Sequence, residues 1–147
     1  MLKRVMSTTD DLSIAVIRVM LGVVMFPHGA QKVLGWFGGY GFGPTYAAFT
    51  EQMGIPAAFA LLALAAEFLG AIGLVVGLLG RVAALGVLSI MVTAVGMVHL
   101  QHGFFMNWTG AQGGEGFEYH LLAGAMAVAV MIQGSGALSL DRIFSRG

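Results

Sequence analysis

A few ionisable side chains stand in an otherwise apolar sequence, and they define the chemistry open to it. His28 and Lys32 are four residues apart, so on a helix they share one face, one turn apart. Arg18 falls within about 80° of both at ~100° per residue, which makes one stripe of that helix cationic. Further along stand His99-x-x-His102, then Glu115, Glu118 and His120. Imidazoles can bind a first-row transition metal, with His28, His99, His102 and His120 as candidate ligands and Glu118 able to complete the set. Histidine and lysine beside aromatic walls suit the carbonyls of a quinone head group, with His or Glu passing protons. Two facing histidines can hold haem axially. Each residue taken singly also fits the membrane interface, where His, Trp and Tyr gather and Lys snorkels to water.

Composition says what solvent surrounds these groups. The 147 residues are 58% apolar and only 10% charged, with mean hydropathy +0.87. Ordinary soluble domains carry about 25% charged residues. A chain of this size cannot hide so much apolar surface from water, so lipid must cover much of it. The formal net charge is zero, which argues against nucleic acid as a partner. Cysteine is absent, which excludes disulfides, thiolate metal sites and thiol redox chemistry.

Four apolar runs, at about 12–34, 56–79, 81–102 and 117–133, read as membrane spans of one domain covering 1–147. The reading is all-α: a four-transmembrane-helix antiparallel bundle. The first run follows N-cap residues at Ser7–Asp11 and covers ~34 Å, so it is read as a retained span rather than a removed signal. Pro44 to Gly54 reads as a short interfacial helix in the first long loop. Gly70, Gly73, Gly77 and Gly80 let span two pack closely, within the bundle or against a second copy. Lys3, Arg4, Arg81, Arg142 and Arg146 fall at the termini and the tight turn, and the loops 35–56 and 103–117 carry neither Lys nor Arg. The positive-inside rule then places both termini in the cytoplasm and both long loops outside. On that topology His28, Lys32, His99, His102, Glu118 and His120 gather at one depth, under the outer loops. Arg18 and Glu67 fall within a few ångströms of one depth near mid-membrane. They are expected to form a buried ion pair locking spans one and two, with a proton or ion relay as the alternative.

Arg18, His28-Gly29-x-x-Lys32, Glu67 with its following glycines, Gly80-Arg81 and Gly134-x-Gly136-x-x-Ser139-Leu140-Asp141 together resemble the DoxX family. The resemblance covers nearly the whole chain. It implies a small multi-pass four-helix protein of the bacterial inner (cell) membrane. The family is named for relatives of the membrane subunit of an archaeal thiosulfate:quinone oxidoreductase, and other members resemble partners in redox or oxidative-stress complexes. The resulting expectation is a membrane subunit that handles a quinone or electrons beside a separate oxidoreductase. A non-catalytic anchor or assembly factor is the alternative, and a small transporter the third. The partners implied are the lipid bilayer, an oxidoreductase or other membrane-complex subunit, and a second copy of the chain. Among cofactors quinone comes first, then a transition metal, then haem.

Overall fold

The structure, a computed structural model, describes residues 2–146. Its helices are α1 (Leu2–Val5), α2 (Leu12–Leu34), α3 (Phe42–Ala47), α4 (Ala57–Val76), α5 (Gly80–Ala94), α6 (Glu118–Gln133) and α7 (Leu140–Arg146). A π-helical turn, Ala48–Gln52, continues α3. A second π turn, Val95–His99, and a 3-10 turn, Leu100–His102, continue α5. The Asp11 carboxylate caps α2 by accepting from Ser13 N at 2.7 Å, and left-handed Gly35 ends the helix at φ 73°. The short helix expected over Pro44 to Gly54 starts at Phe42 instead, and its second half is the π turn.

Helices α2, α4, α5 and α6 form a closed ring of neighbours, each packing on the next and α6 on α2. Residues paired across each seam run in opposite senses, so the four helices go up and down in turn. Leu12–Leu34, Ala57–Val76 and Gly80–His102 are long and apolar enough to cross a membrane. Helix α6 has 16 apolar-rich residues, about 24 Å of rise. The core holds Leu21, Met25, Leu74, Val87, Ala127 and Val130. The outer surface is no more polar: Val16, Val23, Leu62, Leu69, Val92 and Leu122 are all more than half exposed. Lipid, not water, suits such a surface.

The glycines of α4 serve the bundle. Gly70 and Gly73 lie against Ala83 of α5, and Gly77 lies against Ser139. The closest helix approach is between α2 and α4. A Cβ at Gly29 would stand 2.5 Å from the Glu67 carbonyl oxygen, and one at Gly22 would stand 2.8 Å from that of Ala71.

One end of the bundle gathers the termini and the tight turn; it is called here the tail end. There Arg18, fully buried, donates to the carbonyls of Leu74, Val75 (2.8 Å), Ser135 (2.7 Å), Ala137 (3.4 Å) and Leu138 (3.1 Å). Asp141 accepts from Leu79 N (2.7 Å), Gly80 N (2.9 Å) and Ser135 Oγ (2.5 Å), capping the start of α5. Arg81 donates to the carbonyls of Met131, Ile132 (2.9 Å) and Ser7. Arg142 pairs with Asp10.

Gly29→Ala should therefore force α2 and α4 apart and lower stability by about 1–3 kcal/mol. Gly43→Ala is the control, since nothing lies within 4 Å of its added methyl. Thermal unfolding in detergent should show a lower Tm for the first variant alone.

Candidate functional site

In a helix each side chain leans toward the N-terminus. Helix α2 runs from the tail end to the opposite, loop end, and α4 runs back. Lys32 therefore leans down from α2 while Glu67 leans up from α4. They meet across the Gly29 contact, with Lys32 Nζ 2.5 and 2.6 Å from the two Glu67 oxygens. The same rule sends Arg18 down toward the end of α4, away from Glu67. The expected Arg18–Glu67 ion pair is thus replaced by two separate arrangements: Lys32 with Glu67, and Arg18 with backbone carbonyls. Their similar depth was a poor guide because the two side chains lean in opposite directions. Phe49, from the π turn after α3, covers the ammonium at 6.0 Å from its ring centre.

The π turn after α5 sets the second part of the site. At ~100° per residue a regular helix would put His102 within ~20° of Met91 and His99 ~80° away. A π turn adds about one residue and reverses that order. His99 consequently swings onto the interior face, and its ring lies 4.1 Å from that of His120, centre to centre. Its Nδ1 is 2.8 Å from the Glu115 carbonyl oxygen. A carbonyl only accepts, so this nitrogen carries the proton. His120 is buried, and its Nδ1 has no hydrogen-bond partner. Tyr119 lies between rings: 5.5 Å from His120 and 6.3 Å from His28. Its hydroxyl reaches only the Met25 sulfur, at 3.6 Å, a weak acceptor.

These residues surround a cavity of about 240 Å³ at the loop end of the bundle. Its walls carry His28, Lys32, Glu67, His99, Tyr119 and His120, with Met25 and Met91 on the core side and Met106 and Glu115 from loop 103–117. Of the polar set expected from the sequence, His28, Lys32, His99 and His120 line the cavity. His102 and Glu118 do not. The His102 ring packs against Gly114. The Glu118 carboxylate holds the loop, accepting from Met106 N at 2.9 Å and Trp108 Nε1 at 3.3 Å. Glu115 does likewise with Asn107 N at 2.7 Å.

Among the described residues no three His, Asp or Glu side chains are placed to hold a metal. The set His28, His99, His102 and His120 is broken by the rotation of His102, and Glu67 is engaged by Lys32. Haem between His99 and His120 is also unsuited, because the two rings touch each other and leave no gap for the macrocycle. Two of the residues that complete the cavity, Glu67 and Tyr119, were not assigned to it from sequence. The one legible signal was Tyr119's place beside His120.

Lys32→Met should leave Glu67 as an unpaired carboxylate within the bundle, destabilising by about 3–5 kcal/mol. Adding Glu67→Leu should restore much of that loss. Arg18→Met and Glu67→Gln should instead simply add, since they share no contact. Urea or thermal unfolding of the single and double variants reads both outcomes.

The family model described as DoxX matches residues 13–100, from the start of α2 through the turn that carries His99. No curated protein and no solved structure matches the chain. The matched segment includes α2, α4 and α5, with Arg18, His28, Lys32, Glu67 and His99. This chain is a membrane protein and belongs to the DoxX family.

Proposed function

We propose that the chain is a four-span inner-membrane subunit of a redox or oxidative-stress complex. Its loop-end cavity receives a quinone head group, and a separate oxidoreductase exchanges electrons with it. The observation that carries this reading is the makeup of the cavity. Lys32 and Tyr119 can donate to quinone carbonyls, histidines stand by to move protons, and the methionines and Ile90 supply an apolar wall. Binding sites for drug-sized molecules run about 300–1,000 Å³. A 240 Å³ cavity takes a ring and leaves an isoprenoid tail outside, in lipid. The DoxX family is often linked to redox or stress, which supports the same reading. With no cysteine in the chain, any sulfur chemistry would need a partner or a non-thiol mechanism.

Helix α6 serves as the fourth span, since it packs beside α5 and α2. The tail end faces the cytoplasm: it holds Arg81 and Arg142, and α1, with Lys3 and Arg4, packs on α7 there. The anchor reading draws on a different observation. Leu138, Ile143 and Phe144 at the tail end are 79%, 66% and 54% exposed, an apolar surface open to a partner subunit.

Native mass spectrometry of detergent-extracted protein with added ubiquinone or menaquinone tests the reading. One quinone should bind per chain, and Tyr119→Phe and His28→Ala should each weaken binding about tenfold, ~1.4 kcal/mol. A bare chain, or equal occupancy in the variants, would move the assignment to the anchor.

A further inference from the structure

The buried polar side chains among the described residues form two separate sets. Arg18, Ser135, Ser139 and Asp141 close the tail end, while Glu67 and His120 lie toward the loops. Between the sets the interior is hydrocarbon. Leu21, Ala71, Leu74, Val87, Ala127 and Val130 are each no more than 2% exposed and pack into one cluster. Glu67 and Leu74 are seven residues apart on α4, about 10 Å of rise. No side chain in this layer can take or pass a proton, and closely packed apolar interiors stay dry.

On the other side of Glu67 the interior is polar. The Lys32–Glu67 pair faces the cavity, which also receives His28 from α2, His99 from the turn after α5, and Tyr119 and His120 from α6. From the segment after α3 the Phe49 ring lies over the Lys32 ammonium, 6.0 Å from ring centre to Nζ. His120 contacts His99, and His99 is tied to the backbone of Glu115, whose side chain is exposed at the loop end. Imidazoles pass protons near neutral pH, and a polar cavity of this size has room for bridging water.

We propose that the Lys32–Glu67 pair exchanges protons with the loop-end face alone, through His120 and His99. Any reaction in the cavity then takes up or releases its protons on that one side. A proton arriving at His99 passes to the neighbouring His120 and then across the cavity, each leg through bridging water, and is accepted by the Glu67 carboxylate, which releases Lys32. The reverse path returns it. The arrangement holds whatever molecule occupies the cavity, so it goes beyond the quinone reading and does not rest on it.

The chain contains no cysteine, so an introduced one is its only thiol. Single variants Ala94→Cys, at the cavity, and Ala71→Cys and Ala127→Cys, in the apolar layer, are reconstituted in vesicles of known orientation. Each is treated with a membrane-impermeant cationic methanethiosulfonate. Ala94→Cys should react from the loop-end side at least tenfold faster than from the tail side, and the other two should stay unreactive from both. Tail-side reaction of any of the three would overturn the proposal. A second measurement follows the Glu67 carboxylate band, identified by its loss in Glu67→Gln, by infrared difference spectroscopy after a one-sided pH jump. The band should answer the loop-side jump alone, and His120→Phe or His99→Gln should slow it at least tenfold. A response to the tail-side jump, no response from either side, or unchanged kinetics in both histidine variants would refute it.

Discussion

A charge inside a membrane bundle has to find its partner within the bundle, because lipid offers none. Much of this structure answers that requirement. The Glu67 carboxylate, in the middle of α4, finds its partner in Lys32, and Lys32 reaches it where Gly29 lets the two backbones touch. The glycine sets the distance between the helices, that distance sets the ion pair, and the ion pair forms one wall of the cavity. On the opposite wall His120 comes from α6, while His99 depends on a different device, the π turn that rotates it inward.

The same requirement is met at the tail end with backbone groups. Helices α4 and α6 bring their carbonyl ends there, and a guanidinium sits on each: Arg18 on α4 and Arg81 on α6. Helices α2 and α5 bring their N–H ends, and a carboxylate sits on each: Asp11 on α2 and Asp141 on α5. Cations at C-termini and anions at N-termini complement the helix dipoles. Four antiparallel helices therefore produce an alternating pattern of charge from four side chains drawn from positions 11 to 141.

Much of the architecture was legible from hydrophobic patterning. The first span was placed at 12–34 and α2 runs Leu12–Leu34; α4, α5 and α6 begin within one residue of the positions read from the chain. The gathering of His28, His99 and His120 was legible too, because apolar run lengths and loop charge imply which ends lie together. The pairings were not. Sequence matches Arg18 and Glu67 by depth alone, and depth does not say which way a side chain leans. Regular helical spacing groups His102 with His99, and nothing in Val95–His99 announces a π turn: it holds no proline and its one glycine is unremarkable in a span. The Gly134–Asp141 stretch stood out as a motif, yet its work is to supply carbonyls to Arg18 and a cap to α5, which only the assembled ends reveal.

Arg18 also sets an order of events during synthesis. Three of its five acceptors, the carbonyls of Ser135, Ala137 and Leu138, leave the ribosome more than a hundred residues after it does. Until then its guanidinium sits in a partly built bundle with most of its donors idle, a state that lipid penalises. Arrival of the 134–141 segment satisfies Arg18 and caps α5 in one step. The tail thus acts as a completion latch: without the 134–141 segment Arg18 would lose three of its five carbonyl acceptors and α5 would lose its carboxylate cap.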